Sequence, residues 1–418
     1  MSEQQAFVSI TVGNETLPVG RLWYRMRKGR ESSSFEYDPS WLTSKEGFAL
    51  EPALPLTQGV FRVPSNRILF GSFEDTAPDR WGRVLMRRAE RLRAKEEKGA
   101  ISSLGELDYV LGVNDEARQG ALRFSETEGG PFLNPASETS IPPLVALPRL
   151  LTATERFIDE DETADDLRLL LVPGSSLGGA RPKASVRDLD GRLSIAKFPR
   201  KDDDTHVVSW EAITLSLAEK ARIRVPSWRL EDVHGKPVLI IKRFDRDGTK
   251  RVPFLSAMSM IGARDNEQRS YLELAYALAQ NGSAPKADME ELWRRIVFSI
   301  LVSNTDDHMR NHGFVHERYK GWRLSPAYDI NPTPVDLRPR ILSTAIDFDD
   351  GTASLDLALS VIDEFRISLK RAREIIKEVG SATADWQKEA KACKLPLKEI
   401  ERMASAFEHQ DLAYAKKQ

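Results

Sequence analysis

A chain of 418 residues with 30% charged and 41% hydrophobic side chains has the composition of an ordinary globular protein, long enough for two or three domains. Its net charge of −2 gives no whole-chain attraction to nucleic acid or anionic membrane. One cysteine, Cys393, excludes an internal disulfide framework and a cysteine-built zinc site.

Met1 to Gln5 is polar and lacks the basic-then-apolar pattern of a signal peptide. No apolar run approaches the roughly 18 residues that span a bilayer. With the single cysteine, these features predict a cytoplasmic protein without membrane contact. Phe7 to Tyr24 alternates apolar and polar residues around Gly13-Asn14, the pattern of a β-hairpin, and Ser34 to Tyr37 continues it. From Asp79 to about Glu97, Trp81, Val84, Leu85 and Leu92 fall at helical spacing, with arginines and glutamates on the other faces. Residues 1–125 thus read as an N-terminal α+β subdomain.

Breaker-rich segments at Glu126 to Pro131 and Thr139 to Pro143 predict a linker. Over 126–250, helices are expected at Leu147 to Phe157 and Asp165 to Leu171. Strands follow at Ala184 to Val186, Leu193 to Phe198, Trp228 to Leu230 and Val238 to Ile241, with one helix, Trp210 to Lys220, between them. That order suits a kinase-type small lobe. Over 251–418 the pattern turns helical: Leu272 to Gln280, Met289 to Asn304, Asp363 to Val379, Asp385 to Cys393 and Pro396 to His409. Only a hairpin around Lys320-Gly321 interrupts it. The expected fold class is α+β: a bilobal, protein-kinase-like fold with a β-rich small lobe and a helical C-terminal lobe, plus the N-terminal subdomain.

Within Ser303 to Gly313, Asp306 and Asn311 stand five residues apart, and Asp329 follows past the hairpin. This is the spacing of a phosphoryl-transfer site, with an aspartate that takes the acceptor's proton and two ligands for Mg²⁺. Lys197 on a predicted strand and Glu211 on the next helix supply the phosphate-binding lysine and its partner in the right order. The loop Gly174 to Lys183 holds Gly178, Gly179 and Ala180, whose backbone can approach phosphate oxygens, with charge from Arg181 or Lys183. It lacks Walker spacing. Lys242 and Phe244 sit where an adenine-binding hinge belongs. The polar run Asn304 to Asn311 is expensive to bury without a ligand or metal. His308 is read as a core histidine and kept among the nucleotide-binding candidates, and Asp307 as solvated or a minor electrostatic contributor. His308 and His312 are four apart without an intervening glutamate, which argues against a zinc hydrolase.

These motifs, with Gly178 to Lys183, Arg243-Phe244-Asp245-Arg246, Thr305 to Asn311 and Leu324 to Ile330, resemble the HipA-type serine/threonine kinases, toxins of bacterial toxin–antitoxin pairs. The resemblance covers nearly the whole chain. It implies ATP and Mg²⁺ as cofactors, Asp306 as base, Asn311 and Asp329 as metal ligands, Lys197 on phosphate, and a hinge near Lys242 and Phe244. It also implies autophosphorylation at Ser176, with Ser175 second, as an off-switch. The implied partners are a HipB-like helix-turn-helix antitoxin that bridges to operator DNA and, as substrate, an aminoacyl-tRNA synthetase. Asp307 departs from the pattern, standing where a glycine is often found. Two rivals share parts of this reading. A small-molecule phosphotransferase uses the same three groups, and a non-catalytic antitoxin- or DNA-binding regulator could use the arginines of 80–98. A solvated helix face is the favoured account of those arginines.

Overall fold

The computed structural model describes residues 2–13, 15–135, 141–174, 179–248 and 250–418. They form two compact units, 1–201 with 231–255 and 202–230 with 256–418.

In the first unit a five-stranded sheet is built from Ser2–Val12 (β1), Glu15–Arg27 (β2), Arg30–Tyr37 (β3), Val60–Arg62 (β4) and Leu122–Ser125 (β5), in the order β4-β3-β2-β1-β5. The alternation in β1 does what the pattern predicts: Ala6, Val8 and Ile10 are buried and the residues between them half-exposed. The pairing of β1 with β2 shifts register between Val8 and Ser9. Opposite Val8 stands Gly20, where a Cβ would lie 2.1 Å from the Glu36 carbonyl and 2.7 Å from the Phe35 ring, so only glycine fits. The edge strands β4 and β5 are too short and too mixed to read from sequence. An aromatic core closes one face, with the Phe35 and Phe73 rings 5.2 Å apart.

The same unit holds the sheet of Lys183–Arg187 (β6), Leu193–Lys197 (β7), Trp228–Val233 (β8) and Lys236–Lys242 (β9), ordered β6-β7-β9-β8, with β8 crossing the border between units. Helices Arg80–Glu96, Leu147–Ile158 and Ala164–Gly174 pack together, and Trp81 meets Phe157 edge-on at 5.1 Å. Three arginines of the first of these helices are committed to carboxylates. Arg83 makes a bidentate pair with Glu106 at 2.7 Å, Arg88 binds Glu162 at 2.6 Å, and Arg93 binds Glu90 at 2.7 Å. This favours the solvated-face account over a phosphate-binding one.

The second unit is mainly helical, and its hairpin Gly313–Glu317 with Gly321–Leu324 belongs to a three-stranded sheet with Phe254–Ser256. Helix Val207–Lys220 carries Trp210, whose ring lies 6.4 Å from Trp386 and 6.2 Å from Phe407. The Trp210 Nε1–H and the His206 N–H both donate to Glu399 at 2.9 Å, so this helix is fixed to the C-terminal helices. One predicted helix differs. Asp363 to Val379 is a 3-10 turn, Ile362–Phe365, followed by Arg366 at φ +56° and then helix Leu369–Thr383. The left-handed Arg366 breaks the run, and Ser368 restarts it by accepting from the Arg371 N–H. The helix read as Met289 to Asn304 is Pro285–Leu301, ending where Ser303 turns left-handed at φ +52°. No helix among the described residues is long and apolar enough to cross a membrane.

Candidate active site

In the second unit, helix Pro285–Leu301 leads into the loop that holds the motif Asp306 to Asn311. Its end is buried, and Asn304 N–H closes back on the Ser299 carbonyl at 2.9 Å. From there the loop is tied to its surroundings almost residue by residue. The Ser303 hydroxyl donates to the Ala406 carbonyl at 2.7 Å, Ser343 Oγ to the Thr305 carbonyl at 2.8 Å, and Thr344 Oγ1 to the Asp307 carbonyl at 2.6 Å.

Within the loop, Asn311 is buried and its Nδ2 donates 3.0 Å to the Asp306 carbonyl. That bond joins the two motif residues and engages the amide nitrogen. The Tyr328 hydroxyl donates 2.9 Å to the Arg310 carbonyl, joining the residue before Asp329 to the residue before Asn311. Asp329 has φ +58°, a left-handed backbone unusual for a non-glycine residue and frequent at functional sites. The strap 324–330 is held from two further sides. Thr214 Oγ1 donates 2.5 Å to the Ile330 carbonyl, and Ala327 N–H donates 2.7 Å to the Arg224 carbonyl. Amide and carboxylate oxygens are the hard donors magnesium takes, commonly one or two protein ligands beside phosphate and water, so Asn311 and Asp329 fit that ion.

Asp306 is exposed, and its Oδ1 pairs with Arg338 Nη1 at 3.0 Å. Asp307 does the opposite. It is 3% exposed, and its carboxylate accepts from the Tyr271 hydroxyl and, at 3.1 Å, from Ser299 Oγ, with His312 Nε2 2.8 Å away. Burial alone would push its carboxyl up. The neighbouring His312, Tyr271 and Ser299 outweigh burial and hold it below the usual aspartate value. Burial, and then the charge of Asp307, push the Tyr271 phenol well above its ordinary range, so it stays a donor.

Two sequence readings are corrected here. Asp307 is not solvated, and His308 is not the core histidine: His308 is exposed, while the buried one is His312. Protein partners meet much of the polar run, at the Asn304 side chain, the Thr305 carbonyl and the Asp307 carboxylate, while the buried Thr305 hydroxyl is left without a hydrogen-bond partner among the described residues. Glu211 is buried on helix Val207–Lys220 in this same unit.

The remaining candidates belong to the first unit. Lys197 is half-buried on β7, opposite Lys183 on β6 and Leu239 on β9. Ser175, Ser176 and Gly178 lie outside the described residues. The loop's far end is anchored by Asp79: one carboxylate oxygen accepts from Gly179 N–H at 2.6 Å, the other from Arg80 N–H at 2.7 Å. Ala180 is exposed, and the Lys183 carbonyl accepts from Trp81 Nε1–H at 2.9 Å. Lys242 ends β9 opposite Ser194, with Nζ 3.5 Å from Asp190, and Phe244 packs on Phe254 with ring centres 6.1 Å apart. The intervening Arg243 N–H is spent on the Leu193 carbonyl at 3.1 Å.

Reading the sequence missed Arg338, Asp79 and the partners of Asp307. Asp307 and His312 sat in the motif, but nothing in the sequence links Asp307 to Tyr271, 36 residues upstream.

Residues 10–107 match the HipA N-terminal domain and residues 175–386 the HipA-like C-terminal domain. The chain belongs to the HipA family. A Haemophilus influenzae relative, named as a candidate kinase, is 24% identical over 208 residues, which cover 44% of this chain and 61% of the relative. A similarly named Sinorhizobium fredii protein is 24% identical over 340 residues, covering 73% of this chain and 74% of that one. The HipA fold itself is shared with a chain of the solved Shewanella oneidensis MR-1 complex of HipA, HipB and operator DNA. That match has a TM-score of 0.64 at 18% identity and covers 98% of this chain and 97% of the other.

Proposed function

We propose that this HipA-family chain is a Mg-ATP-dependent serine/threonine protein kinase acting in the cytoplasm as the growth-inhibiting toxin of a toxin–antitoxin pair. The observation that carries the reading is the loop Asp306 to Asn311, where an exposed carboxylate is tied through its own carbonyl to a buried asparagine amide. Phosphoryl transfer asks little covalent chemistry of a protein, and mostly positioning and charge.

In this reading Asp306 orients the acceptor hydroxyl and takes its proton as the oxygen attacks the γ-phosphorus of ATP. Asn311 and Asp329 would hold magnesium. When bound, that ion neutralises charge on the phosphates. Lys197, oriented by Glu211, would bind the α- and β-phosphates, with backbone groups of the Gly178, Gly179 and Ala180 loop and the Lys183 ammonium beside them. Lys242 and Phe244 would frame the adenine, and His308, exposed next to Asp306, would face the nucleotide. Autophosphorylation at Ser176, or at Ser175, would place close to two negative charges beside these groups and switch the enzyme off. A HipB-like antitoxin, which bridges to operator DNA, would hold the toxin in check. An aminoacyl-tRNA synthetase is the proposed substrate.

Intact-mass and phosphopeptide analysis after incubation with Mg-ATP tests the reading. Phosphate on the Ser175-Ser176 peptide of the unmodified chain, and none on Asp306→Asn, is the expected result. Full phosphorylation of Asp306→Asn would remove Asp306 from the chemistry. Phosphate transfer to a small amine or sugar with no protein acceptor would move the chain to the small-molecule kinases.

A further inference from the structure

Three consecutive residues of the loop have their carbonyls pinned. Thr305 O accepts from Ser343 N–H and Oγ, Asp306 O from Asn311 Nδ2, and Asp307 O from Thr344 Oγ1. Of the three side chains only that of Asp306 is exposed. The side chain that locks the arrangement belongs to Asp307. Its carboxylate gathers a phenol from helix Tyr271–Asn281, a hydroxyl from helix Pro285–Leu301 and the imidazole that leads into the hairpin at Gly313. The Tyr271 and His312 rings also meet edge-on, 5.6 Å apart. A carboxylate this deeply buried costs several kcal/mol unless it is fully partnered. Three partners from three elements compensate it, and together they leave the loop one arrangement.

We infer that Asp307 is a positioning residue that, through Tyr271, Ser299 and His312, fixes the catalytic loop so that the Asp306 carboxylate alone faces the acceptor hydroxyl. The inference deepens the kinase reading and rests on it. Asp307 is buried among protein groups, so its removal is expected to change the placement of Asp306 and not the affinity for ATP. A displacement of about 1 Å at a reacting group costs on the order of 10²-fold in rate.

The test is steady-state and single-turnover phosphotransfer for Asp307→Asn, Tyr271→Phe, Asp306→Asn and the double variant Asp306→Asn with Asp307→Asn. Amide hydrogen exchange is followed in parallel over residues 303–312. Asp307→Asn is expected to lower kcat about 10²-fold, and Tyr271→Phe several-fold, with KM for ATP within about twofold of the parent. The double variant is expected to be no slower than Asp306→Asn, because a group that acts only through Asp306 has nothing left to position. Asp307→Asn and Tyr271→Phe are each expected to exchange faster than the parent across 303–312. Unchanged kcat in Asp307→Asn, or losses that multiply in the double variant, overturns the inference. So does a rise in KM for ATP at constant kcat. Tyr271→Phe keeps the test decisive if Asp307→Asn does not fold. If the parent protein transfers no phosphate to any acceptor, the kinase reading is what fails, and exchange alone then decides whether Asp307 holds the loop.

Discussion

The motif Arg243-Phe244-Asp245-Arg246 and the motif Thr305 to Asn311 are equally prominent in the sequence, and both are dense in charge. In the first, the charged side chains turn inward, with exposures of 2%, 6% and 5% for Arg243, Asp245 and Arg246. Asp245 is gripped by Arg243 at 2.6 Å, Arg246 at 2.8 Å and Gly120 N–H at 2.8 Å. The two guanidinium groups go on to the carbonyls of Glu116, Ala117, Arg118 and Gly120, so the motif clamps the loop 115–120 to the end of β9. In the second motif, Asp307 is as deeply buried as Asp245, but its neighbour Asp306 is 60% exposed at the side chain. Charge density alone does not mark a reactive site. What separates the two motifs is exposure: the second keeps one carboxylate in solvent between buried neighbours.

The comparison is broken most sharply by removing one aspartate from each motif. Asp306→Asn is expected to lose phosphotransfer by three orders of magnitude or so while thermal stability stays within about 1 kcal/mol, as for other exposed substitutions. Asp245→Ala should do the reverse. Burial alone would push the Asp245 carboxyl up, but Arg243 and Arg246 hold it well below the usual aspartate range. Its removal strands two buried cations, at a cost of roughly 3–5 kcal/mol. Urea unfolding monitored by tryptophan fluorescence reads that loss. A change under about 1 kcal/mol would mean that the motif is not a clamp.

A third buried carboxylate sharpens the contrast because burial outweighs every charge near it. Glu51, 2% exposed, accepts from the Ser72 N–H, and burial pushes its carboxyl from 4.5 up to about 7. Between those values the folded chain keeps a proton that the unfolded chain releases. Stability is therefore full at acid pH, declines as pH rises from about 4.5 to 7, and is flat above. Glu51→Gln keeps an acceptor for Ser72 and removes the ionisation. It should be neutral near pH 4 and gain on the order of 2–3 kcal/mol at pH 8. Denaturation at the two pH values decides it, and an equal effect at both would place the proton elsewhere.

How much of this the sequence revealed follows from the range of each interaction. The hairpin of β1 and β2, the helices near 80–96 and 147–158, and the order of Lys197, Glu211, Asp306, Asn311 and Asp329 all rest on periodicity or on short spacing. The motif order also pointed to the family. What stayed hidden joins residues far apart in the chain. Asp307 meets Tyr271 across 36 positions, Gly179 meets Asp79 across 100, and Arg246 meets Glu116 across 130. Confusing His308 with His312 has the same origin, since two histidines four apart on an irregular loop carry no periodicity that says which is inside.

The smallest expected effect concerns Arg338, whose guanidinium pairs with Asp306. Both side chains are more than half exposed, at 57% and 60%, so the pair is screened by solvent and salt and holds almost no folding free energy. Arg338→Ala should leave unfolding within about 0.5 kcal/mol of the parent. Its consequence would be kinetic. In the kinase reading the guanidinium on Oδ1 would compete with an incoming acceptor hydroxyl for the carboxylate. Removing Arg338 should lower KM for the protein acceptor a few-fold at unchanged kcat, and added salt should bring the unmodified protein toward the same value. A fall in kcat instead would mean that Arg338 helps to hold the carboxylate in place, and Asp306 would then be positioned from the solvent side as well as by Asp307 from within.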